Sequence, residues 1–378
     1  MDIIERVRKA RPKLELLRDV LYSAVPGRRE MVDGILLSLV AGEHALVLGP
    51  PGTAKSYTVS TLTSLIGAQS YIYQLTKFTT YDDLFGPPDL VELQRGSYKR
   101  AWSKIVNSHI VYLDEVFNAN SAILNALLSL MQERVVYDPV SGTPVQTAVH
   151  MVVATSNDVP LDKELQAFVD RFAVKIHTDY TSNYDEFLKA VEARWATRVK
   201  QVKVVTIDEI KALSHALSEL AVARVADLGR ELYREYADAV WPLAQSLRKA
   251  GVLLSDRWLV EKGYKLFLAY LAVNGISKEN IDLAPYELAR YTAATPDERK
   301  EVERVVKEAL GEAAELEKKL ENVKRLYSAG KYDEARKALA DLIASVDINK
   351  LSKNPAARSK VEKIASEARQ MMGGGLSL

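Results

Sequence analysis

Cysteine is absent from all 378 residues, which excludes disulfides, thiol catalysis and cysteine-ligated zinc. Charge of one sign is missing too. The 51 basic side chains balance 50 acidic ones to a net +1, so no global field draws the chain to nucleic acid or anionic lipid, and such a partner needs a local patch. Long apolar runs are also lacking: ILLSLVA at 35–41 is bounded by Gly34 and Gly42 and is too short to span a bilayer. The stretch MDIIERVRKARPKLELLRDV carries charges throughout and has no signal-peptide core. His44, His109, His150, His177 and His215 show no metal-ligand spacing, and no G-x-S-x-G elbow supports a serine hydrolase. What remains is a cytoplasmic globular chain, 48% apolar, with material for two or three domain cores.

What is present is an alternation of buried strands and helices. Residues 1–40 read as two amphipathic helices joined at Val25, Pro26 and Gly27. ALVL (45–48), YIYQL (71–75), IVYL (110–113), MVVA (151–154) and AVKI (173–176) read as strands of a parallel α/β sheet, and SYTVSTLTSLIG as a helix closed by Gly67. Two inserts interrupt this order. GPPDLVELQRGSYKR (86–100) is expected to hold a turn at Gly96 between short alternating segments, and the stretch 134–149 a β-hairpin around Ser141 and Gly142. From about 181 the pattern is helical: a long run over 207–251, then a helix that Ser255 can cap. From Pro296, Val302, Val306, Ala309, Ala313, Leu316, Leu320, Val323 and Tyr327 keep a coiled-coil period. A turn at Ala329 and Gly330 then returns the chain as a helical hairpin. Its seam either packs on the preceding helices or serves as a docking arm. The expected domains are 1–180, 181–295 and 296–378.

Between the first strand and its helix stands GPPGTAKS, Gly49 to Ser56, one residue short of the phosphate-binding pattern G-x-x-x-x-G-K-[ST]. Backbone N–H groups of the loop and the helix N-terminus would face phosphates, Lys55 would add a point charge, and Ser56 would ligate magnesium. Ala54 puts a methyl where glycine usually permits positive φ, at about 1–2 kcal/mol if that conformation is required. Asp114 and Glu115 end the strand IVYL, where a carboxylate reaches a loop-held metal; an acidic pair there also suits the cap of the next helix. Asn157 can orient a water or touch a γ-phosphate, or be an ordinary turn residue. Arg171 and Arg257 can bind phosphate oxygens or be solvated surface charges.

In this order and spacing, GPPGTAKS, IVYLDE, ATSN (154–157), DRF (170–172) and SDRW (255–258) resemble the Walker A, Walker B, sensor 1, arginine finger and sensor 2 of an AAA+ ATPase. The inserts resemble the helix-2 insert and pre-sensor-1 hairpin of the MoxR group, and TKFTTYDDLFGP (76–87) and ILNALLSLMQER (123–134) resemble its RavA branch, in which alanine before the Walker lysine is usual. The likeness covers about residues 20–285.

It implies an αβα parallel-sheet ATPase core followed by a helical lid. It gives Gly49, Pro50, Pro51, Gly52, Thr53, Ala54, Lys55 and Ser56 to ATP, Ser56 and Asp114 to Mg2+, Glu115 to water activation and Asn157 to γ-phosphate sensing. Arg257 would report nucleotide state from the lid, and Arg171 would reach the nucleotide of a neighbouring subunit in a hexameric homo-oligomer. Val25, Pro26 and Gly27 match the segment flanking the adenine. The implied work is partner remodelling or metal-cofactor insertion, with a von Willebrand factor A protein on a separate chain because no D-x-S-x-S motif occurs here. A nucleic-acid motor is the alternative, but the hairpin has no lysine or arginine between Val135 and Met151 to meet phosphates.

Overall fold

The computed structural model describes residues 3–159, 163–195, 203–222, 227–328, 330–345 and 355–374. Helices α1 (Ile3–Ala24) and α2 (Arg29–Ala41) open the chain and meet at Val25–Gly27, where Gly27 has φ 75°. Strand β1 (Ala45–Leu48) is buried along its length and runs into the loop before α3 (Lys55–Ile66), which ends on a left-handed Gly67. Strand β2 (Ser70–Gln74) follows.

The first insert turns at Gly96 as expected, with φ 76°, but the segment before that turn departs from expectation. After α4 (Tyr81–Phe85) it forms a short helix, α5 (Leu90–Gln94), and closes through an antiparallel bridge between Pro88 and Arg100. The reason is local: the Asp89 carboxylate accepts from the Val91 and Glu92 N–H groups, so an N-cap overrides a weak alternation.

Next come β3 (Ile110–Asp114), α6 (Ser121–Glu133) and the expected hairpin, β4 (Val135–Tyr137) against β5 (Pro144–Gln146). Buried Arg100 joins the two inserts, contacting Asp82 at 2.5 Å and Asp138 at 2.6 Å. Strand β6 (Met151–Ser156), α7 (Lys163–Val169) and β7 (Val174–His177) complete the sheet.

Its order is β2-β3-β6-β1-β7 with every pairing parallel. The three inner strands are almost wholly buried, whereas edge strand β2 is partly exposed, the difference expected between covered and edge positions. Successive side chains point to opposite faces and divide the core in two. Leu46, Leu48, Val111, Leu113, Val152 and Ala154 pack with α6 and the inserts. Ala45, Val47, Tyr112, Val153, Val174 and Ile176 share one apolar cluster with α1, α2 and the C-terminal helices.

After α8 (Tyr184–Trp195), which adds no buried residue, those helices are α9 (Ile207–Val222), α10 (Asp227–Lys249), a π-helical turn Trp258–Gly263 continuing into α11 (Tyr264–Asn274), and α12 (Lys278–Ala289). Ser255 caps as predicted, accepting from Trp258 N at 3.0 Å.

The extension holds four helices: α13 (Pro296–Leu310), α14 (Glu312–Ser328), α15 (Tyr332–Ser345) and α16 (Pro355–Gly374). The hairpin is α14 against α15; Ala329 lies outside the described residues. The heptad seam does not run through one helix, because Gly311 at φ 51° breaks it between α13 and α14. Its Val302, Ala313, Leu316, Leu320 and Val323 are buried in the chain's own cluster, which is the packing outcome. No described helix is long and apolar enough to cross a membrane.

Candidate nucleotide site

The sheet's carboxyl edge gathers the loop and the acids. Gly49 donates to Ser156 O at 3.1 Å and has φ 146°, and a Cβ there would run into the Thr178 carbonyl. Only glycine fits so close to another backbone. Gly52, at φ 80°, has open space where a side chain would stand. Ala54 adopts left-handed φ 66°, ψ 21° and starts α3, so the conformation that glycine usually supplies is present, with its steric cost. Thr53 Oγ1 donates to Pro50 O at 3.0 Å and stiffens the turn. The buried Lys55 ammonium donates to the carbonyls of Gly49 and Pro50. Burial lowers its pKa, while Asp114 and Glu115 oppose the shift. The Ser56 side chain is exposed at the first turn of α3.

Strand order supplies the next contact. β6 lies between β1 and β3, so Thr155, fully buried, stands between the loop and the acidic pair. Its hydroxyl donates to Asp114, and the Glu115 N–H donates back to Thr155 Oγ1 at 3.4 Å. Glu115 is itself left-handed, φ 53° and ψ 50°, and makes no side-chain capping bond; Asn120 caps α6 instead. The acidic pair therefore does not act as a helix cap. Two non-glycine residues in rare backbone conformations at one sheet edge mark a strained, over-determined site. Thr155 lies inside the ATSN motif, but the sequence reading gave a role only to Asn157; the signal for Thr155 is a hydroxyl following the apolar run MVVA.

A cleft of about 680 Å³ opens beside the loop. Gly49, Pro50, Asn157 and Thr178 line it, together with Thr295, Arg299 and Lys300 from the start of α13. Asn157 is exposed there, and Thr178 Oγ1 is buried with no hydrogen-bond partner. Arg299 anchors α13 by donating to Glu30 at 2.8 Å and to His177 O at 3.3 Å. The sequence reading kept this helix apart from the site because only folding brings Pro296 back to the end of β7. The turn at Val25, Pro26 and Gly27 is not among the cleft's lining; Gly27 sits against Glu186, and Arg28 reaches Thr181 at 3.3 Å.

The arginines lie elsewhere. Arg171 precedes β7 and faces the Gln132 side chain, whose amide oxygen, turned toward it, is 2.6 Å from Nε. The Arg257 segment is tied to the same edge: Ser255 Oγ donates to Asp170 at 3.0 Å, Trp258 Nε1 to Ala173 O at 2.9 Å, and Lys262 to Asp170 O. Arg257 itself pairs with Glu261 at 3.0 Å. This is the amino edge, and Ala45 is level with Val174. The loop lies beyond the far end of β1, about 13 Å away at ~3.3 Å per residue. The sequence reading has Arg257 report nucleotide state from the lid; here these three contacts tie its segment to the start of β7. Desolvation first, then the Lys175 and Arg257 charges, pull Lys262 down to about 8 against the pull of Asp170 and Glu43.

The loop's chemistry fits a nucleoside triphosphate with magnesium: a glycine cradle open at Gly52, an ammonium over the turn, an exposed hydroxyl at Ser56, and a carboxylate positioned by Thr155. Comparisons with known proteins agree. A family described as the MoxR domain in the MoxR-vWA-beta-propeller ternary systems matches residues 13–215, more than half of the chain. An uncharacterized protein of Methanocaldococcus jannaschii is 30% identical, the match covering 74% of this chain and 70% of that one. The chaperone MoxR1 of Mycobacterium tuberculosis is 28% identical over 43% of each chain. A crystal structure from Cytophaga hutchinsonii, proposed in its description to be an ATPase, superposes with TM-score 0.60 at 21% identity, covering 80% of this chain and 96% of that one, and so shares the fold. The chain belongs to the MoxR family of AAA+ ATPases.

Proposed function

We propose that the chain hydrolyses ATP and uses the energy to remodel or assemble a partner protein. The observation that carries this reading is the convergence of Lys55, Asp114 and Glu115 on one sheet edge, with the two acidic residues bridged by Thr155. In it, the N–H groups of residues 52–56 hold the phosphates and Lys55 neutralises the β and γ positions. Magnesium, held by Ser56 and Asp114, would offset the charge gathering on the phosphate oxygens. Glu115 orients the attacking water and takes its proton, and Asn157 contacts the γ-phosphate from the cleft wall. Val25, Pro26 and Gly27 flank the adenine.

Arg171 and Arg257 act on the nucleotide of a neighbouring copy in a hexameric ring. Their distance from the loop of their own chain supports that role, since a guanidinium must touch the transferring group to stabilise it. The chain divides into a nucleotide-binding domain (1–180), a helical lid (181–295) and an extension (296–378). The segments 76–87 and 123–134 support a RavA-like place within the family. The family's description supports von Willebrand factor A and β-propeller partners; in this reading they are separate chains, and the work is done in the cytoplasm. Metal-cofactor insertion is one form the remodelling can take.

A Glu115→Gln protein tests the reading. It should bind ATP like the wild type and lose about 10²–10⁴-fold in turnover, the usual worth of a general base. Held with MgATP in native lysate, it should retain a von Willebrand factor A protein. Turnover at the wild-type rate would end the assignment.

A further inference from the structure

The strand order gives the loop two unlike sides. β1, which leads into the loop, lies between β6 and β7. Asn157 follows β6, and Asp114 and Glu115 close β3 beyond it, so the acids and the amide proposed to serve the γ-phosphate all stand on the β6 side. A nucleotide seated on the loop with its γ end there extends its other end over β7.

The cleft of about 680 Å³ continues on that side, between Thr178 and Asp179 after β7 and Thr295, Pro296 and Lys300 at the start of α13. Its volume lies within the ~300–1,000 Å³ of small-molecule sites. This half offers phosphates no free guanidinium: Arg299 is engaged by Glu30, Glu303 and His177 O, and Lys300 pairs with Asp297 at 3.1 Å. Asp179 is exposed in the wall. Its Oδ1 accepts from the Tyr180 N–H at 2.7 Å, and its Oδ2 has no partner among the described residues. Thr178 fixes its place, since the Thr178 N–H donates to Leu48 O at 2.8 Å and the Thr178 carbonyl abuts Gly49. A carboxylate with an open oxygen beside a phosphate loop suits the hydroxyl donors of a ribose.

We infer that the β7 side of the cleft receives the nucleoside, with Asp179 accepting from the ribose 2′- and 3′-hydroxyls and α13 of the extension forming the outer wall. This placement rests on the proposed binding of MgATP, and it makes the substrate a ribonucleotide. The turn at Val25–Gly27 reaches the same wall from behind, because Glu30, soon after it, holds Arg299 at 2.8 Å. A site that hydrogen-bonds a hydroxyl disfavours the analogue lacking it. Water can take the exposed Asp179 oxygen when that hydroxyl is missing, which sets the expected discrimination at about tenfold, the low end for hydrogen bonds to a charged group.

Calorimetric titration of the full chain with the magnesium complexes of ATP, 2′,3′-dideoxy-ATP and inorganic tripolyphosphate tests this. The wild type should bind ATP about tenfold tighter than the dideoxy analogue. Asp179→Ala should abolish that preference, and Asp179→Asn, which keeps an acceptor, should restore part of it. Lys300→Trp, at a side chain 76% exposed, should weaken both nucleotides and spare tripolyphosphate, whose retained binding also shows that a variant has folded with its loop intact. A wild type indifferent to the hydroxyls overturns the role of Asp179, as does an Asp179→Ala protein that keeps the preference. A Lys300→Trp protein that binds like the wild type, or that loses all three ligands equally, overturns the wall. Failure of the wild type to bind any of the three removes the ATPase reading and this placement with it, whereas binding without hydrolysis removes the activity alone.

Discussion

The two edges of the central sheet carry opposite kinds of chemistry. At the carboxyl edge the backbone is strained and open: Gly49, Ala54 and Glu115 all have positive φ, Lys55 holds the loop carbonyls, and Asp114 and Glu115 meet at Thr155. At the amino edge the side chains are basic and tied down. His44 contacts Met131 O at 2.8 Å, Arg134 donates to Gly42 O at 2.7 Å, and Asp170 holds both Ser255 and Lys262. A parallel sheet makes this division possible because all its strands point one way, so loops that bind ligands and loops that anchor packing fall on opposite sides. The lesson is that the fold separates the loop from the segments that carry Arg171 and Arg257, which are tied to residues around the start of β7.

The comparison breaks most visibly at Lys55. Lys55→Ala should remove MgATP turnover altogether, read as phosphate release, while urea unfolding stays near wild type. Retained turnover would mean that the carboxyl edge is not the reaction centre.

The next effect separates the edges by subunit. Arg171→Ala should keep nucleotide binding and lose about a thousandfold in turnover, the order expected for an arginine acting on a transferring phosphoryl group. Mixed with Lys55→Ala protein it should regain part of that activity, because a hybrid contact joins an intact loop to an intact arginine. A silent mixture would place Arg171 outside the reaction.

Acid should act on the amino edge. Burial holds the His150 pKa at about 4 and lowers that of His44. Below about pH 6.5 the unfolded chain takes up protons that the folded chain refuses, so stability falls as pH drops from about 6.5 to about 4, by up to about 3 kcal/mol for His150. Urea midpoints at pH 7 and pH 4.5 read this, and His150→Gln should make the slope shallower.

The smallest effect is expected at Ala54. Ala54→Gly relieves about 1–2 kcal/mol of left-handed strain and adds backbone entropy to the unfolded chain, so the two partly cancel. Nucleotide affinity should stay within about tenfold, roughly 1.4 kcal/mol, as titration with a fluorescent ATP analogue would measure.

Much of the carboxyl edge was legible in the residues. The strand ALVL, the glycines around the loop and the carboxylates after IVYL are contiguous signals, each a few residues long, whose chemistry depends on local backbone. The hairpin at 134–149 and the cap at Ser255 were legible for the same reason. The first insert was misread because Asp89 nucleates a helix in a segment too short for alternation to mean much. The heptad from Val302 was misread because the seam continues across Gly311 although the helix does not.

By itself the sequence determined the parallel α/β core, the phosphate loop and the acids that face it, since these follow from hydrophobic period, glycine and strand ends. Tertiary structure alone decided that β6 runs between β1 and β3, and so that Thr155 orients Asp114. It also decided that α13 lines the cleft, that α8 shows its apolar side to solvent, and that Arg257 stands at the far edge from its own loop. These outcomes depend on which strands become neighbours and on how distant segments pack, contacts between residues tens to hundreds of positions apart that no local pattern encodes.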